Sequence, residues 1–133
     1  MVMTDLARSL TLAAGFLLLH SAALAHHGLA EFDQTSPITL KGTVTEFHFT
    51  NPHCIVEFEV KTDQGAIQKW QGELTSPAHL KGWTPATLEP GNEVTVTGYP
   101  TKSGAHYLWI NSLKSSNGVH LRTNGENLIP DGQ

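Results

Sequence analysis

Apolar residues in this chain recur at every second position, in short runs that Gly, Pro and Asn interrupt. A period of two belongs to half-buried strands and is incompatible with a helix face. Ile38, Leu40 and Val44 alternate with Thr39, Thr43 and Thr45, and Gly42 within the run suits a bulge or tight bend. Phe47 and Phe49 continue the alternation after one phase slip, as a bulge would produce. Asn51-Pro52 punctuates this first strand. Val56, Phe58 and Val60 alternate with Glu57 and Glu59 in a second strand, which Asp63-Gln64-Gly65 turns into a third over 66–74. Ser76 is placed to cap a short helix over 78–81, with Pro77 at its first position and Gly82 at its end. Beyond the turn at Pro90-Gly91-Asn92, Val94 and Val96 alternate with Thr95 and Thr97. The segment from Tyr99 to Gly104 reads as a loop, and a last strand covers 106–113.

Three strands, a short helix and two strands is the order of the oligonucleotide/oligosaccharide-binding (OB) barrel. The predicted fold is therefore all-β: a small five-stranded OB-like barrel over 38–115, with one short helix between strands three and four. A β-sandwich would need more strands. A chain of 133 residues holds one such domain. Residues 116–133 form a polar tail rich in Gly and Asn, expected to be loosely ordered.

The start of the chain reads as an address. Arg8 precedes an apolar run from Leu10 to Leu19, and Ala23-Leu24-Ala25 supplies the small residues of a cleavage site before His26. The run is too short to span a bilayer, which takes about 20 residues. Residues 1–25 are thus expected to be a secretory signal peptide, and the product to be periplasmic or secreted without stable membrane insertion. Residues 26–37 then form a His-containing N-terminal segment.

Composition closes off several functions. Eight Lys and Arg against 12 Asp and Glu leave a net charge of −4, without the basic footprint that nucleic-acid binding needs. A single Cys, Cys54, excludes an intramolecular disulfide and any Cys-rich zinc motif. Cys54, adjacent to His53, would be a soft ligand for Cu(I), but a small buried strand residue is the favoured reading. No nucleophile elbow, P-loop, zincin motif or dinucleotide fingerprint occurs, so catalysis is not indicated. Glu73, Glu57 and Glu59 could pair as acid and base, yet Glu57 and Glu59 share one face of a strand and look solvated.

What remains distinctive is eight His, as many as all Lys and Arg together. Cleavage after Ala25 would make His26 the N-terminus, offering its amine and its ring Nδ1 to one ion. Both groups titrate low enough for metal to compete with protons at neutral pH. A third ring nitrogen would complete a histidine brace, a T-shaped nitrogen set suited to Cu(II). Candidate partners are His27, His48, His53 and His106. If Phe47 and Phe49 face inward, His48 between them faces outward. His79 and His120 read as ordinary surface residues.

Several of these residues also form a set. His26-His27-Gly28, Phe32-Asp33, Leu40-Lys41-Gly42-Thr43-Val44, Asn51-Pro52-His53, Trp70 with Glu73, Ser76-Pro77, Leu80, Gly82-Trp83 and Pro90-Gly91 resemble a family of small exported bacterial proteins known as domain of unknown function 6152. The resemblance runs from about His26 to His120. It implies an exported OB-like barrel without an established activity, and in its pattern His26, His27 and His53 fall on signature positions.

The leading expectation is an exported metal-binding module, for copper, built on His26. The alternative is a metal-free barrel for a small ligand, an envelope polymer or a protein partner, with Trp70, Trp83 and Trp109 along one exposed groove. A copper-based redox enzyme is a third reading, for which the sequence shows no substrate surface.

Overall fold

The computed structural model describes residues 28–124 and 127–130. His26, His27 and the expected signal peptide lie outside them. The strands are β1 (Ile38–His48), β2 (Ile55–Lys61), β3 (Ile67–Glu73), β4 (Glu93–Pro100), β5 (Tyr107–Ser115), β6 (His120–Asn124) and β7 (Asn127–Pro130). They run in the order β3-β2-β1-β4-β5-β6-β7, and a parallel pairing of β3 with β5 closes the first five into a barrel. Closure removes the open edges that a flat sheet of this size would leave.

The alternation read from the sequence becomes the inside and outside of this barrel. Val44, Val56, Phe58, Val96, Leu108, Ile110 and Leu113 are almost completely buried, together with Cys54, Leu74 and Leu88. Each such aliphatic or aromatic side chain contributes about 1.5–3 kcal/mol by leaving water. The phase slip is a β-bulge: Val44 pairs with Phe58 but Glu46, not Thr45, pairs with Glu57. After it, Phe47 and Phe49 pack against the core while His48 turns outward, 37% exposed. Gly42 sits where the long first strand presses on β2. A Cβ there would come within 2.5 Å of the Glu59 carbonyl oxygen, so only glycine fits.

The expected short helix is not formed, and no α-helix occurs among the described residues. Pro77–His79 make one 3-10 turn, and Ser76 caps no amide; its hydroxyl bonds His79 Nδ1 at 2.9 Å. Four residues cannot repay the cost of nucleating an α-helix, and Leu80 pulls the chain into the core after a single turn. The chain beyond Ser115 also departs from a loose tail. Polar β6 pairs with β5 from Ser112↔Arg122 to Lys114↔His120, and β7 pairs with β6. Polar composition does not prevent pairing when an unpaired strand edge is on offer.

Candidate functional site

The strand pairing lays one polar band across the outer face of the barrel. Side chains that alternate outward are Glu46 and His48 on β1, Glu57 on β2, Gln71 and Glu73 on β3, and Tyr107 and Trp109 on β5. The β3–β5 closure sets Gln71 beside Tyr107 and Glu73 beside Trp109.

Glu73 is the unusual member, a carboxylate only 12% exposed. A buried charge must be paired or hydrogen-bonded to be tolerated. Two neighbours do this: the Tyr107 hydroxyl donates to Glu73 Oε2, and His53 Nδ1 contacts Glu73 Oε1. His53 stands just before β2, where Cys54 N donates to Thr75 O and Leu74 N to Cys54 O, fastening it to the end of β3. Its ring meets Trp109 edge to face at 5.6 Å and is 43% exposed. Nδ1 faces the carboxylate, which leaves Nε2 as the ring nitrogen not engaged by Glu73. A carboxylate behind one ring nitrogen is how metal-ligating histidines are commonly held.

Tyr107 is affected in turn. Burial first, then the hydrogen bond to Glu73 and the charge of that carboxylate, push its hydroxyl well above the ordinary value of 10. A folded-state pKa raised in this way contributes stability present below pH ~10 and lost as pH rises through the folded value. We expect the wild-type minus Tyr107→Phe absorbance titration to show no tyrosinate below about pH 11. Half-ionisation near pH 10 would contradict the Glu73 contact.

The N-terminal segment is strapped onto the same cluster. Phe32, 3% exposed, stacks on Tyr107 at 5.8 Å and meets Trp109 edge-on at 6.2 Å. Asp33 N donates to Pro100 O, Lys102 N to Glu31 O and Lys102 Nζ to Ala30 O, each at 2.8–2.9 Å. The Thr35 hydroxyl and amide both bond Asp33 and hold its carboxyl below the usual range.

The other candidates go elsewhere. His48 lies between Glu46 and Glu57. His106 stacks on Trp70 at 4.6 Å, engaged by an aromatic face. Among the described residues the one group of three or more ligand-type side chains within metal-binding range is Glu46–His48–Glu57, so His48, His53 and His106 do not converge on one ion. His26 and His27 lie outside the described residues. Burial pushes the Cys54 thiol up, its Sγ facing Thr50 O, which suits a core residue. The three Trp form no common groove. Trp70 belongs to the core, Trp83 packs on Phe47, and Trp109 lies on the outer band.

In the sequence Glu73 stands out as a possible partner of Glu57 and Glu59 and, with Trp70, in the family resemblance, while Tyr107 is a strand residue with no assigned role. A carboxylate directly before core residue Leu74 was the signal available for Glu73; nothing in the chain marked Tyr107 as its partner.

The sequence profile of a family of unknown function (DUF6152) matches residues 15–108. The match spans His26, His27, His53, Glu73 and the first residues of β5, beginning ahead of the His26 start of the expected resemblance and ending before His120. No curated protein matches the chain.

Proposed function

The chain belongs to this family of unknown function, DUF6152, and since membership assigns no activity we propose from its own residues that it is an exported copper-binding module. The amine and ring of His26 and Nε2 of His53 hold the ion, with His27 as a further donor. The observation that carries this reading is His53 itself. A buried carboxylate engages its Nδ1 while its side chain is 43% exposed, on the patch where Phe32 docks the N-terminal segment. Leu29–Glu31 make a 3-10 turn directly ahead of Phe32, and from Gly28 back to His26 the chain adds at most about 7 Å of reach. We also read the closed barrel as OB-like, from its strand order. Nitrogen donors with an N-terminal chelate favour Cu(II), which heads the affinity order of divalent ions.

Titration of the chain beginning at His26 with Cu(II), followed by electron paramagnetic resonance, tests the proposal. One equivalent should bind more tightly than about 1 μM and show nitrogen hyperfine structure. Acetylating the His26 amine should abolish that signal, because an amide replaces the amine. An unchanged spectrum would move the copper away from the N-terminus and overturn the reading.

A further inference from the structure

A second group of ligand-type side chains lies across the same outer face, apart from His53 and Glu73. Glu46 and His48 of β1 and Glu57 of β2 place one donor atom each within 4.8 Å of the other two. His48 Nε2 is 3.3 Å from Glu57 Oε1, and Nδ1 is 3.6 Å from Glu46 Oε1.

Two features set this group apart from an ordinary solvated edge. The bulge substitutes Glu46 for Thr45 as the direct cross-strand partner of Glu57. Like charges directly opposed on neighbouring strands are destabilising. Among the described residues no Lys or Arg forms an ion pair with either carboxylate; His48 alone does. The nearest basic ladder position, Lys69, stands opposite Glu59 instead. The chain thus opposes two carboxylates beside an imidazole and supplies no fixed cation. In addition, Gln71 Nε2 donates to Glu57 Oε1 at 3.0 Å and aims that carboxylate, the kind of outer partner that orients metal ligands.

We propose that Glu46, His48 and Glu57 form a separate site for a borderline divalent cation, of the zinc class, with a remaining coordination position open to solvent. Zinc takes imidazole nitrogen and carboxylate oxygen at about 2.0–2.2 Å in tetrahedral geometry, which spaces ligand atoms by about 3.3–3.5 Å. His48 Nε2 and Glu57 Oε1 already stand at that spacing; Glu46 lies beside the other ring nitrogen and, being 62% exposed, would have to rotate its side chain to join them. Two carboxylates and a neutral imidazole balance the charge of a divalent ion. This site needs neither His26 nor His53, so it stands or falls apart from the copper proposal.

The test uses a chain that carries His26→Ala, His27→Ala and His53→Ala, which removes the imidazoles of the copper proposal. Zn(II) is titrated by calorimetry and Co(II) by visible absorption. One equivalent should bind with an affinity on the order of micromolar. His48→Ala and Glu57→Gln should each weaken binding at least about tenfold, while Glu59→Gln on the same strand face leaves it unchanged. Circular dichroism checks that each variant is folded, and the chain with His26→Ala and His27→Ala and with His53 intact serves if the triple change is not. No saturable binding up to about 1 mM, or equal binding by His48→Ala, overturns the proposal.

Discussion

Gly98→Ala is expected to destabilise the barrel by about 3 kcal/mol, the upper end of the usual cost of overpacking. Gly98 lies in β4 where the pairing with β5 slips between Thr97 and Gly98. A methyl there would drive into the backbone oxygen of Trp109 and come within 2.6 Å of Leu108 Cδ1. Neither obstacle can withdraw. β5 is pinned on one side by β4 and on the other by the parallel pairing with β3, and Leu108 is fully buried. The loss corresponds to a Tm lower by about 12–24 °C in a domain of this size. Thermal and urea unfolding measure it. Gly28→Ala is the control, since its added methyl meets nothing within 4 Å. A Gly98→Ala protein as stable as that control would mean that the β4–β5 contact is looser than described.

Glu73 yields the second large effect, and two substitutions separate its roles. Glu73→Ala removes the acceptor of the half-buried Tyr107 hydroxyl and the partner of His53. Leaving a buried donor unsatisfied costs about 1–3 kcal/mol, so a loss of about 2 kcal/mol is expected. Glu73→Gln keeps a carbonyl oxygen for Tyr107, and its stability should stay within about 1 kcal/mol of the parent. Its neutral amide no longer supplies the carboxylate that holds the His53 ring at Nδ1. Copper affinity should therefore fall about 10–100-fold in both variants, as when orienting partners of ligating histidines are removed. Equal affinity in Glu73→Gln and the parent, measured by Cu(II) competition titration, would show that Glu73 is structural and does not tune His53.

Much of the barrel could be read from local pattern. The Phe47/Phe49 phase slip corresponds to the bulge between Val44 and Glu46, and the outward turn of His48 follows from it. Gly42 within an alternating strand suits a bulge or tight bend, whereas the bulge lies between Val44 and Glu46 and Gly42 is where β1 presses on β2. The short helix failed because a proline after Ser76 signals a turn start without deciding how many turns follow; burial of Leu80 decided that. The site was less legible. His53 could be chosen from its neighbours Asn51-Pro52, but its grip by Glu73 could not. Ile55 pairs with Glu73 across one hairpin, whereas Tyr107 and Trp109 reach Glu73 only through a parallel pairing of strands remote in sequence.

By itself the sequence determined the five barrel strands and which of their side chains face inward, because alternation is dictated by the geometry of each strand alone; it did not show that the polar tail extends into β6 and β7. Tertiary structure decided which outward side chains meet. Closure of β3 on β5 brought Glu73 to Tyr107 and docked Phe32 beside them, and the bulge set Glu46 against Glu57. Those juxtapositions depend on pairing between strands far apart in the chain, which packing of the whole barrel selects and no local period encodes.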